Sequence, residues 1–188
     1  MIRVIDNALP VELFDDLRNF VTSPVFPWFF TTTTTNDYYS MYNALTAKDF
    51  AQQYNSEFAI EYVSKGSAIF SQILQNYEED NLNYNYLVRM RLGLIHPRPI
   101  YTKHSMHTDF VFPHKTALLY ILGDGKNDGV TTFLLNGKEE IVAPKPNRLV
   151  LFDGDILHSS STPTNSDFRI AMNINYTTKE IGEKHGNW

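Results

Sequence analysis

Thr131-Thr132-Phe133-Leu134-Leu135-Asn136-Gly137-Lys138-Glu139-Glu140-Ile141-Val142-Ala143 decides the fold class. Two short runs, Thr131 to Leu135 and Glu139 to Ala143, flank Asn136-Gly137, the pair that a tight hairpin turn favours because both of its positions need positive φ. Strand patterns extend outward from this hairpin in both directions. Upstream, Tyr86-Leu87-Val88-Arg89-Met90-Arg91-Leu92 alternates, and Thr116-Ala117-Leu118-Leu119-Tyr120-Ile121-Leu122 is the apolar run of a buried strand. Downstream, Arg148-Leu149-Val150-Leu151-Phe152 is a strand ended by Asp153-Gly154, and Phe168 to Tyr176 is the last. Several short strands separated by turn residues predict an all-β sandwich or barrel.

The first half of the chain reads differently. Pro10 suits the first position of a helix, and Leu13, Leu17, Phe20 and Val21 recur at helical spacing until Pro24 and Pro27 stop them. Phe26 to Phe30, followed by five threonines from Thr31 to Thr35, reads as extended. Residues 46 to about 63 suggest a helix carrying Phe50, Tyr54 and Phe58, and residues 67 to 77 suggest another carrying Ile69, Ile73, Leu74 and Tyr77. Asn81, Asn83 and Asn85 mark a polar connection. These helices must cover one face of a sheet.

With 188 residues the chain suits one domain, and no repeat or linker interrupts it. A net charge of −5 argues against a broad basic face for nucleic acid. The absence of cysteine excludes disulfides, thiolate zinc sites, iron–sulfur clusters and a Cys nucleophile, so any metal must sit on nitrogen and oxygen. No stretch approaches the roughly 20 apolar residues of a membrane span, and the first residues lack a signal-peptide core. A cytoplasmic protein is expected.

Three residues can carry chemistry. In extended chain, residues i and i+2 point the same way, so His107 and Asp109 present an imidazole and a carboxylate to one point. His158, after the strand ending at Phe152, would complete a two-His-one-carboxylate face that leaves half of an octahedral iron open. The tripeptide alone is weak: six His and 21 acidic residues yield a chance His-x-acid roughly 0.7 times in such a chain. The last strand adds context. Ile170, Met172 and Ile174 share one face, and Arg169, Ala171, Asn173 and Asn175 share the other. A dry core does not hold Arg and two Asn on one side, so that face meets solvent or a polar cavity. Beside a metal, Arg169 is a candidate clamp for a dicarboxylate, since a guanidinium grips a carboxylate through two parallel hydrogen bonds.

In order along the chain, His107-x-Asp109, Leu119 to Leu122, Gly129 to Phe133, Asn147 to Phe152, His158 and Phe168-Arg169 resemble the 2-oxoglutarate/iron(II) oxygenase superfamily, and most nearly its prolyl-hydroxylase-like branch with small phage-type members. The likeness covers about residues 86 to 176, and Val4 to Pro10 resembles the lead-in to that domain. The resemblance implies a mainly β fold with N-terminal helices: a helical part over about 1–85 and a double-stranded β-helix core (jelly-roll or cupin-like) over about 86–178, packed against those helices. It implies Fe(II) on His107, Asp109 and His158, and 2-oxoglutarate held at its far carboxylate by Arg169 with the hydroxyl of Tyr120. It further implies O2 as oxidant, ascorbate as a reductant, and hydroxylation of an unactivated C–H bond, such as a peptidyl proline, with succinate and CO2 released. Collagen-type members place lysine where Arg169 falls. The nucleic-acid demethylase branch has a second arginine where this chain has Asn175, and halogenating relatives lack the carboxylate that Asp109 supplies.

Other polar residues read less sharply. Asn173, Arg91 and His104 are candidates for contacts with substrate or around the metal. Arg89 and Arg91 share a strand face that lines either a substrate entrance or a solvated edge. His96 and His114 sit beside prolines in predicted loops, Asp153-Gly154-Asp155 reads as a turn, and Trp28 with Tyr38 to Tyr42 reads as a lid or as packing. The partner is a peptide or small molecule rather than nucleic acid or membrane, and the sequence leaves the oligomeric state open. Two alternatives stand beside the oxygenase: a cupin-like metalloenzyme without 2-oxoglutarate, and a non-catalytic jelly-roll binding or structural protein.

Overall fold

The computed structural model describes residues 1–31, 40–45, 57–78, 84–126, 128–165 and 167–178. The expectations for Thr32 to Thr35, Tyr38, Tyr39, Asn81, Asn83 and residues 46–56 lie outside these. Among the described residues twelve elements follow in chain order: β1 (Ile2–Asp6), α1 (Val11–Val21), β2 (Phe29–Thr31), β3 (Ser40–Leu45), α2 (Glu57–Tyr77), β4 (Tyr84–Ile95), β5 (Lys115–Leu122), β6 (Thr131–Leu135), β7 (Lys138–Val142), β8 (Arg148–Asp153), β9 (His158–Ser160) and β10 (Arg169–Thr178).

All strand pairs among the described residues are antiparallel. One sheet runs β1-β8-β5-β10-β4-β3-β2, and a smaller one runs β7-β6-β9. The last strand is central, between β4 and β5, and its period of two divides the molecule. Ile170, Met172, Ile174 and Tyr176 are buried on the helix side with Met90 and Leu92 of β4, Ala117, Leu119 and Ile121 of β5, and Leu149 and Leu151 of β8. Phe14, Leu17 and Val21 of α1 and Ile69 and Ile73 of α2 seal that face. Each such fully buried side chain contributes about 1.5–3 kcal/mol.

Leu118, Tyr120, Val150, Phe152 and Ala171, on the opposite face, meet Phe133 and Val142 of the small sheet in a second apolar cluster. This second cluster closes only one part of the space between the sheets. The rest holds a polar cavity, because the inward positions of β4 and β10 there are Arg89, Arg91, Arg169 and Asn173.

The expected hairpin forms as read, with Asn136 at φ 50° and Gly137 at φ 75°. Four elements differ from the sequence reading. The two expected helices are one where described: α2 runs through Ser64-Lys65-Gly66, because burial of Ile69 and Ile73 against the sheet outweighs the roughly 1 kcal/mol cost of an internal glycine. The segments β1, β3 and β9 are strands without having been expected as such. Of these, β1 is an edge strand whose Ile2 to Asp6 pair with Phe152 to Arg148, and β9 has three residues, too few for a periodic signal. Asn147, at φ 60°, joins the halves: its side chain accepts from Leu9 N and donates to Leu9 O, both at 2.9 Å. No helix among the described residues is long and apolar enough to cross a membrane.

Candidate metal centre and anion pocket

His107 and His158 meet because they are cross-strand partners. Each backbone N–H donates to the other's carbonyl, at 2.9 and 3.0 Å, so the side chains share a face and the rings lie 4.7 Å apart. The segment preceding His107 thus serves as an extra edge on β9, although no alternating pattern marks it. Asp109, two residues on, points to the same place. One donor atom from each of the three lies within 4.8 Å of the others, and His158 Nε2 is 3.8 Å from Asp109 Oδ2.

The rings are already aimed. His107 Nδ1 hydrogen-bonds the carbonyl of Ser105 at 3.1 Å, and His158 Nδ1 that of Ile156 at 3.0 Å. A carbonyl only accepts, so each Nδ1 carries the proton and each Nε2 presents a lone pair. Burial depresses the pKa of His158 and outweighs the opposing charge of Asp109, so this imidazole stays neutral and competent to ligate. Burial by itself would raise the pKa of Asp109. The Arg89 charge, His158 and the amides of Asn173 and Asn175 reverse that and hold it at about 2. Two imidazoles and a carboxylate, with an open cavity beyond them, fit a divalent iron.

The three donors line a cavity of about 360 Å³, together with Arg89, Arg91, Thr131 and Arg169. Arg169 is 6% exposed, and among the described residues no carboxylate lies within 4.0 Å of it. Its Nη2 donates to Thr131 Oγ1 at 2.9 Å, its guanidinium sits 5.4 Å from the ring centre of Tyr120, and its Nε has no hydrogen-bond partner. A buried cation without a counter-ion is costly, and the cost is recovered when an anion binds. Thr131 is prepared for the same anion. Its oxygen accepts from both Arg169 and the Tyr120 hydroxyl, the latter at 2.7 Å, which leaves its own O–H to donate into the cavity. A dicarboxylate such as 2-oxoglutarate fits this cradle.

Tyr120, expected on the anion with Arg169, is fully buried, its hydroxyl meets the cavity through Thr131, and burial raises its pKa. Thr131 was not singled out in the sequence, because a threonine in a strand gives no signal of its own. Asn173 and Arg91 line the cavity as their strand faces allow, and Arg89 binds a candidate metal ligand. His104 is buried, with Nδ1 on Ser160 Oγ at 2.8 Å, and so lies one residue behind the wall. His114 is buried against Gly154, His96 packs on Phe168 and Trp28 packs on Phe26.

Solved structures share this architecture. A prolyl-4-hydroxylase of Pseudomonas putida superposes with a TM-score of 0.60 at 15% identity, over 93% of this chain and 91% of that one. A prolyl hydroxylase from Trichoplax adhaerens, solved with a hypoxia inducible factor oxygen degradation domain peptide fragment, gives 0.61 at 15% identity, over 99% and 87%. A 2OG-Fe(II) oxygenase-family oxidoreductase of Burkholderia pseudomallei gives 0.66 at 11% identity, over 94% and 84%. The chain has the fold of the 2-oxoglutarate/iron(II) oxygenases. Its two antiparallel sheets are the double-stranded β-helix of that fold, and the His-Asp-His cluster lies between them. No family model and no curated protein matches the sequence.

Proposed function

We infer that this protein is a non-haem Fe(II)- and 2-oxoglutarate-dependent dioxygenase that hydroxylates an unactivated C–H bond. The observation that carries this reading is the pairing, in one cavity, of a two-His-one-carboxylate cluster with a buried arginine that has no counter-ion among the described residues. His107, Asp109 and His158 would hold iron. Arg169 and Thr131 would hold the far carboxylate of 2-oxoglutarate, with Tyr120 fixing Thr131 from behind. Bound iron would activate O2 as the oxidant, with 2-oxoglutarate as the two-electron donor converted to succinate and CO2, and ascorbate would keep iron ferrous.

This chain's own residues orient and exclude. The two carbonyls behind the imidazoles fix their tautomers. Phe133 and Phe152, packed on His158, keep water from that side of the site. Asn173, Arg91 and Ser160 line what remains of the cavity for the substrate. A peptidyl proline is the proposed substrate, since prolyl hydroxylases are among the structural neighbours and one of them was solved with a peptide.

Iron-dependent conversion of 2-oxoglutarate to succinate tests the reading. Wild-type protein forms succinate only with ferrous iron, and His107→Ala and Asp109→Ala fall at least about a hundredfold, as loss of a metal ligand requires. Succinate formation at the wild-type rate in both variants removes the metal centre. A mass increase of one oxygen on a proline peptide tests the substrate.

A further inference from the structure

Asp109 is gripped from two directions. Arg89 Nη2 donates to Oδ1 at 2.5 Å, while the side-chain amides of Asn173 and Asn175 donate to Oδ2 at 3.0 and 2.9 Å. Arg89 is itself locked. Its Nε donates to Asn175 Oδ1 at 3.0 Å, and its guanidinium lies 4.7 Å from the ring centre of Phe110. Asn175 is anchored again on Thr116 Oγ1 at 3.0 Å. One side chain therefore governs both oxygens, Oδ1 directly and Oδ2 through Asn175. The oxygen left facing His158 is Oδ2.

We propose that Arg89 is a positioning residue that confines Asp109 to a single ligating oxygen and so keeps one more coordination position at the metal open for reactants. The inference rests on the iron reading above. A carboxylate with both oxygens free can chelate a cation through both. Oδ1, held by a fixed guanidinium, cannot turn to a second cation, and the guanidinium repels an ion that approaches from its side. Two imidazoles and one carboxylate oxygen leave half of the octahedron open. A chelating Asp109 would close one more position, leaving room for 2-oxoglutarate but not for oxygen as well. Ligation through Oδ2 needs a lone pair that an amide now uses. Asn173, on the cavity wall with its carbonyl oxygen unpartnered, is the amide placed to yield, while Asn175 stays tied to Arg89 and Thr116.

The test is titration of metal-free full-length protein with cobalt(II), read by visible absorption and by competition with a chelator, in wild type, Arg89→Met and Arg89→Lys. Removing the charge and freeing Oδ1 tightens cobalt binding in Arg89→Met by about tenfold or more and changes the absorption spectrum, while succinate formation falls. A merely structural role for Arg89 would instead weaken metal binding, so unchanged or weaker affinity in Arg89→Met overturns the proposal. Should that variant fail to fold, Arg89→Lys decides. It keeps a cation on Oδ1, so affinity within about threefold of wild type and an unchanged spectrum are expected, and a changed spectrum counts against the proposal. Wild-type protein that binds no divalent ion would end the iron reading itself, an outcome distinct from failure of the Arg89 assignment alone.

Discussion

The imidazole of His158 and the carboxylate of Asp109 have pKa values displaced in the same direction, and both displacements penalise acid. His158 lies below its ordinary 6.5, so between that value and its lowered pKa the unfolded chain binds a proton that the folded chain refuses. Asp109 falls from 3.8 to about 2, so its stabilising contribution is complete above 3.8 and is lost as pH drops towards 2. The Tm of the metal-free protein should therefore fall as pH is lowered below about 6.5, and fall again below about 4. His158→Gln removes a group that titrates in the first window and should flatten that part of the profile. Identical Tm–pH curves for wild type and His158→Gln between pH 7 and 5 would contradict the placement of a buried, neutral imidazole. At this scale the sequence was informative where spacing alone aims a side chain, as for His107 and Asp109. It was silent on Thr131, whose value comes from two partners that are distant in the chain.

Elements were legible where a period or a turn chemistry is explicit. The even and odd residues of Arg169–Thr178 divided into a core face and a polar face, and the structure keeps that division. Asn136-Gly137 gave the hairpin because its backbone needs positive φ. Of the three strands that were missed, β1 and β9 were missed for physical reasons. The burial of an edge strand such as β1 alternates poorly, and β9 has three residues fixed by partners in β6 and in the segment around His107. The joint between β1, α1 and β8 makes a prediction at this scale. In Asn147→Ala, the buried N–H and C=O of Leu9 lose both side-chain partners, and a residue at φ 60° loses its tolerance for that conformation. The expected loss is about 2–3 kcal/mol by urea unfolding. Asn147→Gly keeps the backbone conformation and should lose less. A loss below about 0.5 kcal/mol in Asn147→Ala would show that the joint does not depend on this amide.

For the molecule as a whole, one sheet divides two environments. Its helix side is dry and apolar, and its other side is partly filled by Phe133, Tyr120, Val150 and Phe152 and partly open as the cavity. The open part exists because β4 and β10 carry Arg89, Arg91, Arg169 and Asn173 where a closed sandwich would carry apolar side chains. The arrangement keeps Arg169 buried, with no counter-ion among the described residues, until a ligand arrives. Calorimetric titration of 2-oxoglutarate into oxygen-free protein, with and without iron, in wild type and Arg169→Met, tests that most directly. Wild type should bind one 2-oxoglutarate per chain, tightly only when iron is present, and Arg169→Met should weaken that binding by about 10- to 100-fold while leaving iron affinity within about threefold. Equal 2-oxoglutarate affinity in the two proteins, or affinity in wild type that does not depend on iron, would contradict the account.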